Sequence, residues 1–254
     1  MYHFFVSPDQ IDGQNIIITG SDVNHIKNVL RMRCGEELLI SNGRNADYLC
    51  RIWDIGTDTV RAEILSLDGE GRELPAKLYL FQGLPKQEKM ELIVQKAVEL
   101  GVYQIIPVAA RRSVVKLDAK KEEAKVKRWN SIAESGAKQS KRSVIPQVTR
   151  VMGMEEALRY AGDFDVKLIP YENAHGMAAA KELVEQVRPG MSVGIFIGPE
   201  GGFEEKEVEQ AMAAGFHPIS LGRRILRTET AGMAVLSILM YRLETWDCFS
   251  ESAE

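Results

Sequence analysis

The sequence predicts an α/β protein made of a small N-terminal β-barrel followed by a larger, mostly parallel sheet with helices on both faces. Two changes of pattern support this fold class. Short strand signals alternate with turns over residues 1–70, whereas from Lys77 onward strands alternate with helical segments. Residues 68–76 (DGEGRELPA), which lie between these regions, are rich in glycine, proline and charge. The predicted domains are therefore residues 1–70 and 75–249.

Five strand signals predict the barrel. Asn42-Gly43 and Gly56 mark turns between them, and one short helix is predicted at Asp22–Leu30. Ser21 or Asp22 can cap that helix. The predicted strands lie at Tyr2–Val6, Asn15–Thr19, Glu37–Ser41, Ala46–Ile55 and Thr59–Leu67.

Repeated strand–helix pairs predict the larger domain. Its strands are expected at Leu78–Gln82, Tyr103–Val108, Gln147–Val151, Val166–Ile169, Val193–Ile197 and Pro218–Leu221. Its helices are expected at Lys89–Leu100, Lys120–Ala137, Glu155–Ala161, Met177–Val187, Glu204–Ala214 and Glu229–Trp246. Because consecutive strands are joined through helices, we expect a parallel sheet.

Charge is segregated along the 254 residues. Residues 107–150 have a net charge of +8, whereas residues 1–106 have −4 and residues 151–254 have −8. The basic segment includes Arg111, Arg112, Lys138, Lys141, Arg142 and Arg150 on strand ends and loops. A solvated helix face explains Lys120–Arg128, but the wider segment indicates a polyanionic partner such as nucleic acid.

Cysteine and histidine usage argues against disulfides and metal sites. Cys34, Cys50 and Cys248 are odd in number and lack metal-type spacing, which predicts a reducing, cytoplasmic setting. The four histidines are scattered, so no metal site is expected. The N-terminus has no signal-peptide pattern, and the longest apolar stretch, Ala231–Tyr241, is too short to span a bilayer.

Three consecutive strands of the larger domain end in distinctive loops: Pro170–Asn173, Gly198–Gly202 and Leu221–Thr230. Ligands of open α/β sheets bind at the carboxyl ends of strands, so these loops are expected to form a pocket. Glycines at Gly198, Gly201 and Gly202 permit close approach of backbone to a ligand. The alternative for this loop alone is an ordinary tight turn, with Glu200 and Glu204 at a helix N-terminus.

The loop sequences narrow the kind of ligand. GPEGG is neither a phosphate loop nor a dinucleotide fingerprint, and Glu200 would repel a phosphate. Arg223, Arg224 and Arg227 precede the last helix and suit recognition of phosphate or carbonyl groups. In the barrel, His25, Lys27, Arg31 and Arg33 are either a solvated helix face or contacts to RNA phosphates.

Several stretches resemble the bacterial small-subunit ribosomal RNA uridine-N3 methyltransferases, the RsmE type of the SPOUT superfamily. They are HIKNVLRMRCGEELLISNG, KAVELGVYQIIPVAARRSV, IAESGAKQSKRSVIPQV, GIFIGPEGGFEEKEVEQA and SLGRRILRTETAGMAVL, and they span nearly the full length. The resemblance implies a PUA-like RNA-binding barrel and a SPOUT-type parallel sheet with a C-terminal trefoil knot. It also implies S-adenosylmethionine as cofactor, a homodimer, and one uridine in the decoding region of 16S rRNA of the small subunit as substrate.

The resemblance also assigns site residues. Cofactor contacts fall on Pro170, Tyr171, Glu172, Ile197, Gly198, Pro199, Glu200, Gly201, Gly202, Leu221, Gly222, Leu226, Thr228 and Thr230. Independently of the resemblance, the distribution of basic residues predicts RNA contacts at His25, Lys27, Arg31, Arg33, Arg111, Arg112, Lys138, Lys141, Arg142 and Arg223.

Methyl transfer to N3 of uracil requires loss of the imide proton and stabilisation of charge on the uracil oxygens. Arg227 is the predicted cation, with Arg223 as second candidate. Glu229, Glu200 and Glu172 are candidate proton acceptors, although Glu229 is equally an ordinary acid in a first helical turn. Ionisation helped by arginine alone is a further alternative.

Three other functions remain open from the sequence. One is methylation of a ribose 2′-hydroxyl or another base by the same fold. Another is a non-catalytic RNA-binding or ribosome-assembly protein, which the intact glycine loops argue against. An enzyme acting on nucleotide phosphates is disfavoured because the Gly-Lys-Ser/Thr of a phosphate loop is missing.

Overall fold

The computed structural model of the chain describes residues 1–44, 46–68, 71–86, 88–174 and 176–246. Cys248, and His175 as one of the four histidines, lie outside the described residues. The chain divides into two compact units. The first comprises Met1–Glu73 and Ala137–Ile145, and the second comprises Leu74–Gly136 and Pro146–Glu254.

The first unit contains a six-stranded sheet. Its strands are β1 (His3–Phe5), β2 (Ile11–Asp12), β3 (Asn15–Thr19), β4 (Glu37–Ser41), β5 (Asp47–Ile55) and β6 (Thr59–Asp68). Their order is β1-β4-β5-β6-β3-β2, in which β1 and β4 are parallel and the other neighbours are antiparallel. The sequence did not predict β2, because two residues are too short to produce an alternating pattern.

The helix predicted at Asp22–Leu30 has two parts. Helix α1 (Ser21–Asn24) continues into a π-helical turn at His25–Val29. Val23 and Ile26 are buried on one side, whereas His25 and Lys27 are exposed. The apolar core of this unit is built from alternate strand residues, which are buried on one face: Phe4, Ile16, Ile18, Leu38, Ile40, Cys50, Ile52, Val60 and Ala62.

Residues 137–145 belong to the first unit through a buried polar network around Asp47. The Ser143 hydroxyl donates to one Asp47 carboxylate oxygen at 3.0 Å, and the Ser41 hydroxyl donates to the other. The backbone N–H of Arg72 donates to Ser143 Oγ at 3.0 Å. Since the members are far apart in sequence, local patterns could not reveal this association.

The second unit is an all-parallel sheet with strands in the order β10-β8-β7-β12-β11-β13, and β9 also pairs with β8. The strands are β7 (Lys77–Gly83), β8 (Gln104–Ala109), β9 (Gln147–Val148), β10 (Met152–Gly153), β11 (Val166–Pro170), β12 (Ser192–Ile197) and β13 (His217–Ile219). The helices that begin in this unit are α2 (Lys89–Glu99), α3 (Ala119–Ser140), α4 (Met154–Tyr160), α5 (Ala178–Gln186), α6 (Glu205–Ala213) and α7 (Thr228–Glu244). The predicted parallel α/β fold is confirmed.

Strand β12 is buried from Val193 to Ile197, as expected for a central parallel strand. Phe196 stacks on Phe81 of β7 with ring centroids 4.5 Å apart, and Phe216 meets Phe196 edge-on at 4.8 Å. This aromatic core fixes the strands whose carboxyl ends carry the loops. None of the described helices is long and apolar enough to cross a membrane.

Candidate functional site

A cavity of about 410 Å³ lies at the carboxyl ends of β11, β12 and β13 in the second unit. Because these three parallel strands are neighbours in the order β12-β11-β13, their following loops reach the same edge of the sheet. The volume is in the usual range for small-molecule sites. The convergence of the three loops, which the sequence predicted, is confirmed by the strand order.

The loop after β12 is a tight turn held by glycines. The N–H of Gly202 donates to the carbonyl oxygen of Pro199 at 2.9 Å, and Gly202 has φ +68°, a conformation that favours glycine. A Cβ on Gly198 would lie 3.2 Å from the backbone of Gly202. The turn therefore brings its backbone to the cavity wall without side chains in the way.

Strand β7 supports this loop from the side. A Cβ on Gly83 would lie 2.6 Å from the nitrogen of Pro199, so only glycine allows the loop to approach the end of β7. Leu84 then continues the chain, with its N–H bonded to the carbonyl oxygen of Val108. The close contact fixes the height of the Gly198–Gly202 loop above the sheet.

A buried polar chain ties the start of α7 to the same loop. Gln82 Nε2 donates to Thr228 Oγ1 at 2.9 Å, and Thr228 Oγ1 donates to the carbonyl oxygen of Gly198 at 2.6 Å. Both side chains are buried, so these hydrogen bonds are made away from competing water. Helix α7 is thus fixed to β7 and β12 at its first residue.

Arginines follow the last strand and lead into α7. Arg227 is the N-cap residue of α7 and is exposed, as are Arg223 and Arg224. Ile225 between them has 87% of its surface exposed. All four residues line the cavity, so the three guanidinium groups and the apolar side chain of Ile225 lie together at its mouth.

A lysine and two carboxylates form an ion cluster beside the cavity. Lys89 Nζ lies 2.9 Å from Glu200 Oε1 and 3.6 Å from Glu229 Oε2. Glu200 also accepts the backbone N–H of Lys86 at 3.1 Å. Burial opposes ionisation of Glu200, but these donors outweigh it and lower the pKa of its carboxyl.

Most predicted cofactor residues line the cavity: Pro170, Tyr171, Glu172, Ile197, Gly198, Pro199, Glu200, Gly202, Leu221, Gly222, Leu226 and Thr228. Arg227 and Arg223 line it as well, whereas Gly201, Thr230 and Glu229 do not. Thr230 is exposed on α7. Gly201 faces Arg112, whose Nη1 donates to its carbonyl oxygen at 3.0 Å. For all the predicted cofactor residues, whether or not they line the cavity, contact with a cofactor stays a prediction.

The residues predicted to bind RNA differ in exposure. His25, Lys27, Arg31, Arg33, Arg111, Arg112 and Lys141 are exposed. Lys27 Nζ donates to the carbonyl oxygen of Gly56, and Lys138 Nζ pairs with Asp22 at 3.2 Å. Arg142 is different, because only 5% of its surface is exposed and it forms an ion pair with Glu73. That geometry is a correction to its predicted role, since a buried, paired guanidinium is not presented to a phosphate.

Sequence reasoning missed several lining residues, of which Lys89 is the most consequential. It belongs to the apolar-patterned helix α2, and nothing local indicates that its side chain reaches the cavity. Gln82, which donates to Thr228 but does not line the cavity, was placed in a strand without a role. Among the other lining residues, Phe203, Ser220 and Ala231 had no predicted role, whereas Arg224 and Ile225 belong to the loop predicted to form the pocket. Among the described residues, no group of three or more His, Cys, Asp or Glu could hold a metal ion.

Family models match both parts of the chain. A model described as an RNA methyltransferase domain matches residues 72–240, and one described as an RNA methyltransferase PUA domain matches residues 18–65. Every residue that lines the cavity falls within the first match.

Relatives cover nearly the whole chain. The ribosomal RNA small subunit methyltransferase E of Bacillus subtilis is 40% identical over 230 residues, which are 89% of this chain and 90% of the relative. That of Mesomycoplasma hyopneumoniae is 36% identical over 238 residues, 93% of this chain and 98% of the relative.

Two solved structures are also similar to this chain over nearly its full length. The crystal structure of a ribosomal RNA small subunit methyltransferase E from Neisseria gonorrhoeae bound to S-adenosyl methionine is 32% identical, with a TM-score of 0.83. It covers 95% of this chain and 97% of that one. A crystallised hypothetical protein is 38% identical, with a TM-score of 0.90 and coverage of 96% and 99%.

Proposed function

The chain belongs to the family of S-adenosylmethionine-dependent small-subunit ribosomal RNA methyltransferases, and we propose that it methylates N3 of one uridine in the decoding region of 16S rRNA. The observation that carries the proposal is the cavity at the ends of β11, β12 and β13, which combines a glycine-formed wall with Arg223, Arg224 and Arg227. The relatives in Bacillus subtilis and Neisseria gonorrhoeae carry the small-subunit methyltransferase name.

The residues present fit S-adenosylmethionine. Gly202 and Gly222 line the cavity in left-handed conformations, and a Cβ on either would meet nothing within 4 Å, so both leave space at the wall. Leu221 and Leu226 supply apolar contact, and backbone groups of the loops supply polar contacts for a nucleoside. When bound, this cofactor supplies an activated methyl group.

Arg227 is the residue assigned to the developing charge. Removal of the imide proton puts negative charge on the uracil oxygens, and a guanidinium at the cavity stabilises that charge. The backbone of Arg227 is held as the N-cap of α7, since its carbonyl oxygen accepts the N–H of Ala231 at 2.8 Å. Thr228, the next residue, is anchored to Gly198. The side chain therefore extends from a rigid base, which favours catalysis by positioning.

Among the three candidate proton acceptors, Glu229 is the one we favour. Glu200 is a poor base because hydrogen bonds from Lys86 and Lys89 hold its pKa low. Glu229 does not itself line the cavity, but it lies two residues after Arg227 in the first turn of α7, and its Oε2 has no hydrogen-bond partner among the described residues. Glu172 is exposed at the cavity edge, where it is placed to accept hydrogen bonds from a bound nucleoside.

RNA binding is proposed for the exposed basic residues of both units. In the first unit they include Arg31, Arg33 and Lys141, and the PUA match over residues 18–65, which contains Arg31 and Arg33, supports this role for those two. In the second unit Arg111 and Arg223 are exposed. Contacts of this kind position an RNA through its phosphates and do not read its sequence. We therefore propose that the shape of the folded small subunit supplies the specificity. We also propose that the reaction takes place in the cytoplasm.

We propose in addition that the enzyme is a homodimer with a knotted C-terminal region. Helices α2 and α7 pack together and leave Leu92, Ile238 and Tyr241 exposed, which favours a second copy covering them. After β13 at the sheet edge, the chain returns so that α7 packs on β12 and β7. That return path supports the trefoil knot.

Nucleoside analysis of 16S rRNA from cells lacking this protein tests the proposal. We expect loss of one 3-methyluridine from a decoding-region fragment and its restoration by a plasmid copy of the gene. Unchanged 3-methyluridine, or loss of a 2′-O-methyl nucleoside in its place, would refute the assigned target atom.

A further inference from the structure

Lys89 joins three elements at the cavity. It is the first residue of α2, and its ammonium contacts Glu200 in the loop after β12 and Glu229 in the first turn of α7. Its side chain is 28% exposed and lines the cavity. No other described residue forms ion pairs with both carboxylates.

The charged groups around Lys89 keep it cationic. It faces Glu200 from the loop after β12, and Glu229 and Arg227 from the start of α7. The hydrogen bond to Glu200 raises the pKa of the Lys89 ammonium, and the two carboxylates outweigh the repulsion from Arg227. Lys89 is therefore a donor throughout the physiological pH range and is not itself a general base.

The two carboxylates depend on Lys89 to different degrees. Glu200 has a second donor, the backbone N–H of Lys86, so its position is fixed twice. Glu229 Oε2 is buried without a hydrogen bond, and Lys89 is the cation nearest to it at 3.6 Å. A carboxylate with one charged partner loses that contact when the partner is removed, whereas a carboxylate with a second donor keeps one of its contacts. Loss of Lys89 is thus expected to affect Glu229 more than Glu200.

We propose that Lys89 is a positioning residue of methyl transfer, which holds the carboxylates of Glu200 and Glu229 in fixed places beside Arg227. This inference rests on the proposed function, because it supports the residues assigned there to charge stabilisation and proton removal.

The first test uses the protein without cofactor and is independent of activity. Crystal structures of Lys89→Met and of the control Lys96→Met, which removes an ion pair within α2, give the positions of the Glu200 and Glu229 carboxylates. Lys89→Met should displace the Glu229 carboxylate from its place beside Arg227, whereas Lys96→Met should leave it where it is. An unmoved Glu229 carboxylate in Lys89→Met would overturn the inference.

The second test measures single-turnover methylation of small subunits at saturating S-adenosylmethionine. Lys89→Met should slow the reaction on the order of tenfold or more while cofactor affinity stays within about threefold, because misplaced groups cost rate more than binding. The acid limb of its pH–rate profile should move to higher pH, and Lys89→Arg should recover most of the rate. A lysine with only a structural role would change thermal stability without moving that limb, and this outcome contradicts the inference.

The two tests separate failure of the inference from failure of the proposed function. If the wild-type protein forms no methyluridine, the proposed function fails, and the crystal structures of the variants alone decide whether Lys89 positions Glu229. If the wild type is active and Lys89→Met is equally active with an unmoved acid limb, the inference fails by itself. Should Lys89→Met not fold, Lys89→Gln carries the same measurements.

Discussion

The hydroxyl of Thr228 donates a hydrogen bond to the carbonyl oxygen of Gly198 at 2.6 Å, which joins the first residue of α7 to the glycine turn after β12. The same hydroxyl accepts from Gln82, so one buried oxygen connects three elements. The two loops that frame the cavity are separated by 30 residues of sequence at this contact. Thr228 therefore contributes directly to the relative position of the two loops.

Thr228→Ala should destabilise the protein and weaken cofactor binding. It leaves the Gly198 carbonyl oxygen without its donor, a loss that costs about 1–3 kcal/mol for a buried group. Denaturant unfolding and titration with S-adenosylmethionine measure the two effects. Thr228→Ser keeps the hydroxyl and is the matched control. Equal stability of the alanine and serine variants would show that the hydroxyl does not hold the loops.

Gly83→Ala should be among the more damaging small substitutions in the second unit. The added Cβ would lie 2.6 Å from the Pro199 nitrogen, and relieving the clash requires a shift of the loop, at a cost of about 2 kcal/mol. Gly232→Ala is the contrast, because its Cβ would meet neighbours at an ordinary 3.7 Å in helix α7. Thermal unfolding should show a clear loss for the first variant and little loss for the second. The reverse order would contradict the contact geometry.

Arg142 and Arg33 carry the same charge, but their substitution should have different effects on stability and RNA binding. Arg142→Ala breaks a buried pair with Glu73 and should cost about 3 kcal/mol of stability. Arg33→Ala removes an exposed guanidinium, so it should leave stability nearly unchanged and reduce the salt dependence of RNA binding by about one phosphate contact. Unfolding curves and binding at several salt concentrations separate them. A salt slope that changes only in Arg142→Ala would contradict the assignment.

Thiol reactivity should report the burial of the first unit's core. Burial raises the pKa of the Cys50 thiol to about 12, so the reactive thiolate is almost absent at pH 8 in the folded protein. Cys34 is exposed. In a Cys248→Ser background, a thiol reagent at pH 8 should modify Cys34 quickly and Cys50 only after unfolding. Fast modification of two thiols in the native protein would contradict the structure.

The sequence identified the loops of the site because each directly follows a strand. Gly198–Gly202 and Leu221–Thr230 could be placed at one edge as soon as parallel strands were predicted. Lys89 and Gln82 could not be assigned in this way, because their roles arise from contacts with residues more than 100 positions away. Such contacts leave no trace in local periodicity.

The charge pattern of the sequence located the basic residues but did not identify their ion-pair partners. The sequence shows that Arg142 is basic, but not that Glu73 lies opposite it in a buried pair. For the same reason, the association of residues 137–145 with the first unit was missed. The helix predicted at Asp22–Leu30 became α1 followed by a π-helical turn, because periodicity identifies the buried face without fixing the hydrogen-bond pattern.

The most direct test of the central claim combines purified protein, small ribosomal subunits from cells lacking the gene, and S-adenosylmethionine with a labelled methyl group. Nucleoside analysis by mass spectrometry should find the label in 3-methyluridine, at one site per subunit, and Arg227→Ala should lower the single-turnover rate about a hundredfold with little change in cofactor affinity. Label in a ribose-methylated nucleoside, or full activity of Arg227→Ala, would contradict the account.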